Sequence, residues 1–301
     1  MTAQAAILPL ARPHALAGIA LVIAASACFS VLDTTTKYVS AGVPILMALW
    51  FRYFFQAVAT TAVVLPLRGM QVWRTRRLGW QLVRGVLLLA SSVLSFTSLR
   101  YLPVGEFTAM VMITPLVITL LAARLLHERV SPLRWALVVG GFTGTLIIIR
   151  PGGGTFGWAS LLPLALVASN AAFQVLTSKL ARTEDPVTMH LYTGWTGTAA
   201  AFLMLPFVWT AVPDPWLWAC MCLMGLMGTV GHFLLILAYY RAPAAVLTPY
   251  LYTQIGFAMI GGVLVFGHVP DHLSLLGIGM IAFCGAAGAW LTVRERRAAA
   301  S

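Results

Sequence analysis

Apolar residues run through this 301-residue chain in blocks of about 20, enough to cross the hydrocarbon core of a bilayer as helices. Ten such blocks are read at 15–37, 44–66, 79–100, 103–125, 132–149, 157–180, 187–210, 215–239, 243–266 and 272–293. Turn-forming residues separate several of them: Pro151-Gly152-Gly153-Gly154, Asp185-Pro186, Pro213-Asp214-Pro215 and Val269-Pro270-Asp271. No intervening stretch is long or polar enough to make a separate soluble domain. The pattern predicts an all-α membrane protein with ten transmembrane helices.

The blocks repeat. Thr34-Thr35-Thr36-Lys37 is echoed by Leu176-Thr177-Ser178-Lys179, and Pro44 and Met47 by Pro186 and Met189, at an offset of 142. Tyr101-Leu102-Pro103-Val104 is echoed by Arg241-Ala242-Pro243-Ala244, and Thr108 by Thr248, at an offset of 140. The chain therefore divides into two five-helix units, 1–150 and 151–301. An odd number of spans forces the second unit to enter the bilayer in the opposite sense. Two inverted repeats are the architecture of alternating-access carriers.

Composition agrees. Charged residues make up 9% of the chain, against roughly 25% in soluble domains, so the bilayer is the expected partner. The net charge of +11 has to be tested against topology before it is read as a nucleic-acid signal. With the N-terminus in the cytoplasm, 14 Lys and Arg fall on the cytoplasmic side, 3 on the outer side, and Arg52 and Arg84 lie within spans. That bias predicts a multi-pass protein of the inner, cytoplasmic membrane with both termini inside, and it accounts for the charge without nucleic acid. Arg12 and the Ala25-Ser26-Ala27-Cys28 stretch resemble a cleavable signal, but cleavage there would destroy the repeat.

Small residues predict where helices approach closely. Gly140 and Gly144 in the fifth span, and Gly285 with Ala289 in the tenth, form corresponding faces. Packing within the monomer is the favoured use of these faces, and a homodimer interface is the alternative.

A charge deep in a span costs about 2.5–3.5 kcal/mol on insertion scales, so each one requires a reason. Asp33 and Lys37 are one helical turn apart in span 1, Arg52 lies about 12 Å along span 2 at 1.5 Å per residue, and Glu106 opens span 4. They form either a neutralised cluster that orients helices or a site for a charged solute or a proton. Their depth makes Glu106 and Asp33 the candidate groups for proton coupling. The second copy replaces these charges with Gln174, His232, Tyr250, Tyr252 and Gln254, among others. Unlike linings on a duplicated scaffold make an asymmetric pocket, and these tyrosines suit a planar solute.

Other chemistries lack their motifs. Gly152-Gly153-Gly154 is not followed by Lys-Ser or Lys-Thr, so no nucleotide-binding loop is present. The four cysteines lie in apolar runs, and His268-Val269-Pro270-Asp271-His272 reads as a turn. Neither a metal nor a cofactor is expected.

The set Lys37, Trp50-Phe51-Arg52-Tyr53, Pro115-Leu116 and Leu125-Leu126-His127-Glu128-Arg129, with Gly231-His232, Ala242-Pro243-Ala244 and Phe266-Gly267-His268, resembles the drug/metabolite transporter superfamily, in particular its EamA-type ten-helix members. The chain departs from that pattern at His268, where the family commonly carries an acid. The resemblance implies a helical basket around a central cavity and secondary transport of small metabolites. The Asp33, Lys37 and Arg52 arrangement looks most like a branch that includes riboflavin and S-adenosylmethionine carriers, with amino acids as further candidates.

The resulting expectation is a secondary transporter of a small polar or amphipathic metabolite, with Asp33, Lys37, Arg52, Glu106, Gln174, His232, Tyr250, Tyr252 and Gln254 at the solute or the coupling step. The alternatives are a membrane enzyme acting on lipid-linked substrates and a non-transporting assembly or sensor protein.

Overall fold

A computed structural model describes residues 15–101, 111, 113–126, 130–149, 161–212, 214–267 and 272–300. Glu106, Glu128, His268 and Asp271 lie outside them. The described residues form α1 (Ala15–Val39), α2 (Ile45–Arg68) with a 3-10 turn (Gly69–Trp73), α3 (Leu78–Tyr101), α4 (Thr114–Leu125), α5 (Pro132–Ile149) and α6 (Leu161–Leu180). There follow α7 (Pro186–Phe202) with a one-turn helix (Leu205–Val208), α8 (Pro215–Arg241), α9 in two segments (Ala244–Leu251 and Thr253–Phe266) and α10 (His272–Ala300). No strand occurs among them. Among the described residues, six helices are long and apolar enough to cross a membrane by length and composition.

Local chemistry sets the boundaries. The Asp185 carboxylate accepts from the backbone N–H of Val187 at 2.8 Å and of Thr188 at 3.2 Å, and Pro186 opens α7. Asp214 and Pro215 start α8 in the same way, with the N–H of Trp216 at 2.8 Å. Each cap satisfies amide groups that have no partner inside the helix, and proline costs nothing at that position. Gly267, at φ 68°, ends α9 in the left-handed conformation that glycine adopts without steric cost. Two predicted spans are interrupted. Pro206 cannot donate to the carbonyl of Phe202, so α7 stops there and resumes for one turn only. Pro249 likewise removes a rung from α9, which breaks at Tyr252.

The packing exchanges the two copies. α1 lies on α8 as α6 lies on α3; α1 lies on α9 as α6 lies on α4; α2 lies on α8 as α7 lies on α3. The pairs α2 with α7, α4 with α9 and α5 with α10 map onto themselves. Duplicated units related by a pseudo-two-fold axis must pack in this way. Each copy therefore interlocks with the other instead of forming a body of its own.

The glycine faces are used inside the chain. A Cβ on Gly140 would meet the Cys284 sulfur at 2.7 Å, and one on Gly144 the Gly277 carbonyl oxygen at 3.0 Å, so both glycines let α5 approach α10. Gly285 has nothing within 4 Å and does not belong to that contact.

The two ends of the bundle differ. The largest apolar cluster joins α1, α4, α6, α8 and α9 at the end where α1 begins and α8 finishes. Toward the opposite end Asp33 and Lys37 stay exposed. Near the end that holds this cluster Arg68 pairs with Asp185 at 3.0 Å, and Thr75 donates to Glu184 at 2.6 Å. Both members of the Arg68–Asp185 pair are about half exposed, at 53% and 47%, and such a pair contributes about 0.2–1 kcal/mol. Arg68→Ala should accordingly shift the thermal midpoint by no more than a few degrees and leave transport rates within about twofold; thermal scans and flux assays of the purified variant check this.

Candidate functional site

The two segments of α9 meet at Tyr252, which itself keeps helical dihedrals (φ −63°, ψ −19°). Gln254, at the start of the second α9 segment, donates its amide to Asp33 Oδ2 at 2.9 Å.

Asp33 and Lys37 do not pair with each other. Lys37 turns its ammonium over the Phe266 ring, 5.2 Å from the centroid, in a cleft shared with Tyr38, Asp214 and Leu217. The neighbouring α9 supplies a separate partner to each.

Deeper in the bundle, Arg52 is 3% exposed. Its guanidinium donates to Ser92 Oγ at 2.9 Å and to His232 Nε2 at 2.9 Å, and so ties α2 to α3 and α8. Ser92 spends its single proton on the Leu88 carbonyl at 3.0 Å, so the Tyr53 hydroxyl is the donor to Ser92, also at 3.0 Å. The Arg52 guanidinium lies 4.6 Å from the Tyr53 ring centroid. Gly228 makes the room: a Cβ there would stand 2.9 Å from Arg52 Nε. His232 is set between two rings, Phe29 at 4.8 Å and Phe173 at 6.0 Å. Guanidinium has no acceptor, so Nε2 must accept, and the imidazole is neutral with its proton on Nδ1.

One turn along α2, the Gln56 amide lies 3.3 Å from the His190 carbonyl oxygen and 3.4 Å from His190 Nδ1. On the far side of Phe173, Arg84 is fully buried. It donates to Thr177, to Thr193 and to the Met189 carbonyl, with its charge 5.6 Å from the Phe173 ring centroid. Arg52 Nε, His232 Nδ1, Gln56 Oε1 and His190 Nε2 are buried without a partner. An unsatisfied buried polar group costs about 1–3 kcal/mol.

The structure brings Arg52 together with His232, and Asp33 with Gln254. Among the described residues it does not bring Lys37, Gln174, Tyr250 or Tyr252 to the Arg52 cluster, and Glu106 lies outside those residues. Gln174 accepts from the Tyr239 hydroxyl at 2.7 Å and donates to Asn170 at 2.9 Å, linking α6 to α8. Tyr250 and Tyr252 are buried. Tyr250 turns its hydroxyl toward Gly288 of α10, and the Tyr252 ring lies against Gly141 of α5. Arg84, Ser92, Gln56, His190 and Tyr53 belong to the polar cluster but were not among the sequence candidates. Arg84 carries the same cost argument as Arg52, and Ser92 occupies the position 140 residues before His232. Among the described residues, no three His, Cys, Asp or Glu side chains lie close enough to hold a metal.

The sequence profile of the EamA-like transporter family matches twice, over residues 16–150 and 157–291. The chain belongs to the EamA-like transporter family. It is similar to a riboflavin transporter of Vibrio cholerae, 28% identical over 95% of this chain and 97% of that protein. It is also similar to a riboflavin transporter of Rhizobium johnstonii, 31% identical over 89% of each. An S-adenosylmethionine uptake transporter of Rickettsia conorii is 24% identical over 83% of this chain and 84% of its own length. A crystal structure superposes on 92% of the chain and 98% of its own with a TM-score of 0.78 at 19% identity, which establishes the shared fold. The chain is thus a multi-pass membrane transporter of small solutes, not an enzyme.

Proposed function

We propose that this transporter carries riboflavin, or a planar metabolite of that class, across the cytoplasmic membrane with both termini inside. One observation carries the reading. A buried guanidinium and a neutral imidazole, Arg52 and His232, are held among the rings of Phe29, Tyr53 and Phe173 and keep unused hydrogen-bonding atoms. Aromatic faces stack on a flat heterocycle and the polar atoms read its edge. A sulfonium-bearing solute fits less well, because two buried guanidiniums repel its charge. Similarity to two riboflavin transporters over most of each chain supports the same choice.

The mechanism follows from the interlocked packing. The moving bodies in this reading are not the sequence units 1–150 and 151–301. They are two mixed groups, α1, α2, α8 and α9 against α3, α4, α6 and α7, each the pseudo-symmetric image of the other. With the N-terminus inside, the apolar cluster closes the cytoplasmic end and the Asp33 end faces outward. Rocking the groups about the Arg52 level would exchange the two ends.

Cells expressing the chain should accumulate labelled riboflavin, and excess S-adenosylmethionine should not compete. Competition by S-adenosylmethionine with no riboflavin uptake would reverse the assignment. Proton coupling belongs to this reading, with Asp33 and Glu106 as acidic groups within the predicted spans. Uptake by Glu106→Gln that keeps its full dependence on an imposed pH gradient removes Glu106 from that role.

A further inference from the structure

We infer that His232 Nε2 is the coupling atom of the carrier, at which Arg52 and a transported proton exclude each other. This rests on the solute reading above and adds the residue that links solute to proton.

The geometry leaves one lone pair for two claimants. In the structure Nε2 accepts from the Arg52 guanidinium at 2.9 Å. A proton on Nε2 would turn that acceptor into a donor and set two cations against each other. His232 takes a proton only after Arg52 has left. Arg52 leaves only when another acceptor draws it, and a solute offering a carbonyl or ring nitrogen is such an acceptor. Solute binding therefore frees Nε2, and the proton that enters travels with the solute. Linkage requires the reverse as well: low pH favours the solute-bound form.

The surroundings fit a switch at this atom. The charged and titratable groups on the helices packed near His232 are Asp33 and Cys28 on α1, Arg52 and Tyr53 on α2, Arg84 on α3 beyond Phe173, His190 on α7, Tyr239 on α8 itself, and Lys179 on α6, which turns over the Trp80 ring instead. Tyr250 on α9 faces Gly288 instead. Of these, only Arg52 bonds Nε2. Asp33, exposed and bonded to Gln254, is the carboxyl group toward the accessible side. Ser92 holds the second Arg52 nitrogen at 2.9 Å, so the guanidinium can pivot without losing every partner.

The test is riboflavin affinity of the purified full-length transporter between about pH 5.5 and 8, the range in which an imidazole exchanges its proton. Riboflavin carries no group that titrates there. The wild-type protein should lose affinity by up to about tenfold per pH unit as pH rises, the slope for one coupled proton. His232→Gln keeps an acceptor for Arg52 but cannot be protonated, so its affinity should stay constant within about twofold and His190→Gln should retain the wild-type slope. An unchanged slope in His232→Gln, or no slope in the wild type, overturns the inference and leaves the riboflavin reading standing. No riboflavin binding at any pH overturns both. Should His232→Gln fail to fold or bind, proton uptake by the wild type in weak buffer decides: about one proton per riboflavin bound supports the assignment, and none refutes it.

Discussion

Arg52→Gln abolishes transport, lowering flux by about 100-fold or more, while the protein continues to insert and accumulate in the membrane. The guanidinium is the shared donor for Ser92 and His232, and no other described side chain reaches both. Truncating one member of a buried, charged hydrogen-bond set costs about 2–5 kcal/mol, and every 1.4 kcal/mol is about tenfold in affinity. Glutamine keeps polarity and much of the volume, so the loss reads on recognition more than on packing. Arg52→Lys should keep the charge but not the planar fork that serves two acceptors at once. Flux about tenfold below wild type is expected for it. Initial-rate uptake normalised to membrane-embedded protein measures both, and Arg52→Gln transport within threefold of wild type would contradict the assignment.

Gly197→Ala has the largest expected effect on stability. A Cβ at Gly197 would lie 2.3 Å from Cδ1 of Tyr53, with two further ring atoms within 2.7 Å. Tyr53 has no free space to retreat into. It is fully buried, bonded to Ser92, and covered by the Arg52 guanidinium. α2 and α7 must separate instead, and overpacking of this kind costs about 1–3 kcal/mol. The thermal midpoint should fall by several degrees and transport should fall with it, because Tyr53 is displaced from the polar cluster. Gly279→Ala is the control, since nothing lies within 4 Å of that position. There, alanine removes the helix penalty of glycine, about 0.5–1 kcal/mol. A midpoint for Gly197→Ala within one degree of wild type would show that α7 does not clasp α2 as described.

The helical architecture was legible because bilayer physics writes it in long apolar blocks. The repeat was legible because Lys37 and Lys179, Pro44 and Pro186, and Thr108 and Thr248 keep nearly constant offsets. The interruptions in α7 and α9 were foreshadowed by Pro206 and Pro249, but an apolar run looks continuous across a proline. The site was legible where cost alone identified a residue, as for Arg52. Its partners were not, because Ser92, Gln56 and Tyr53 are ordinary residues until another helix places a guanidinium or an imidazole beside them. Tyr250 and Tyr252 lie against Gly288 of α10 and Gly141 of α5, a placement that span 9 alone does not disclose. Asp33 and Lys37 share a helix face by their spacing, and only the proximity of Gln254 and Phe266 shows where each finds its contact.

The most direct measurement is counterflow in proteoliposomes containing the purified chain. Preloading the lumen with unlabelled riboflavin should accelerate entry of external labelled riboflavin several-fold, and Arg52→Gln should remove the acceleration. Entry at the same rate with and without preloading would contradict a carrier that alternately exposes one central riboflavin site.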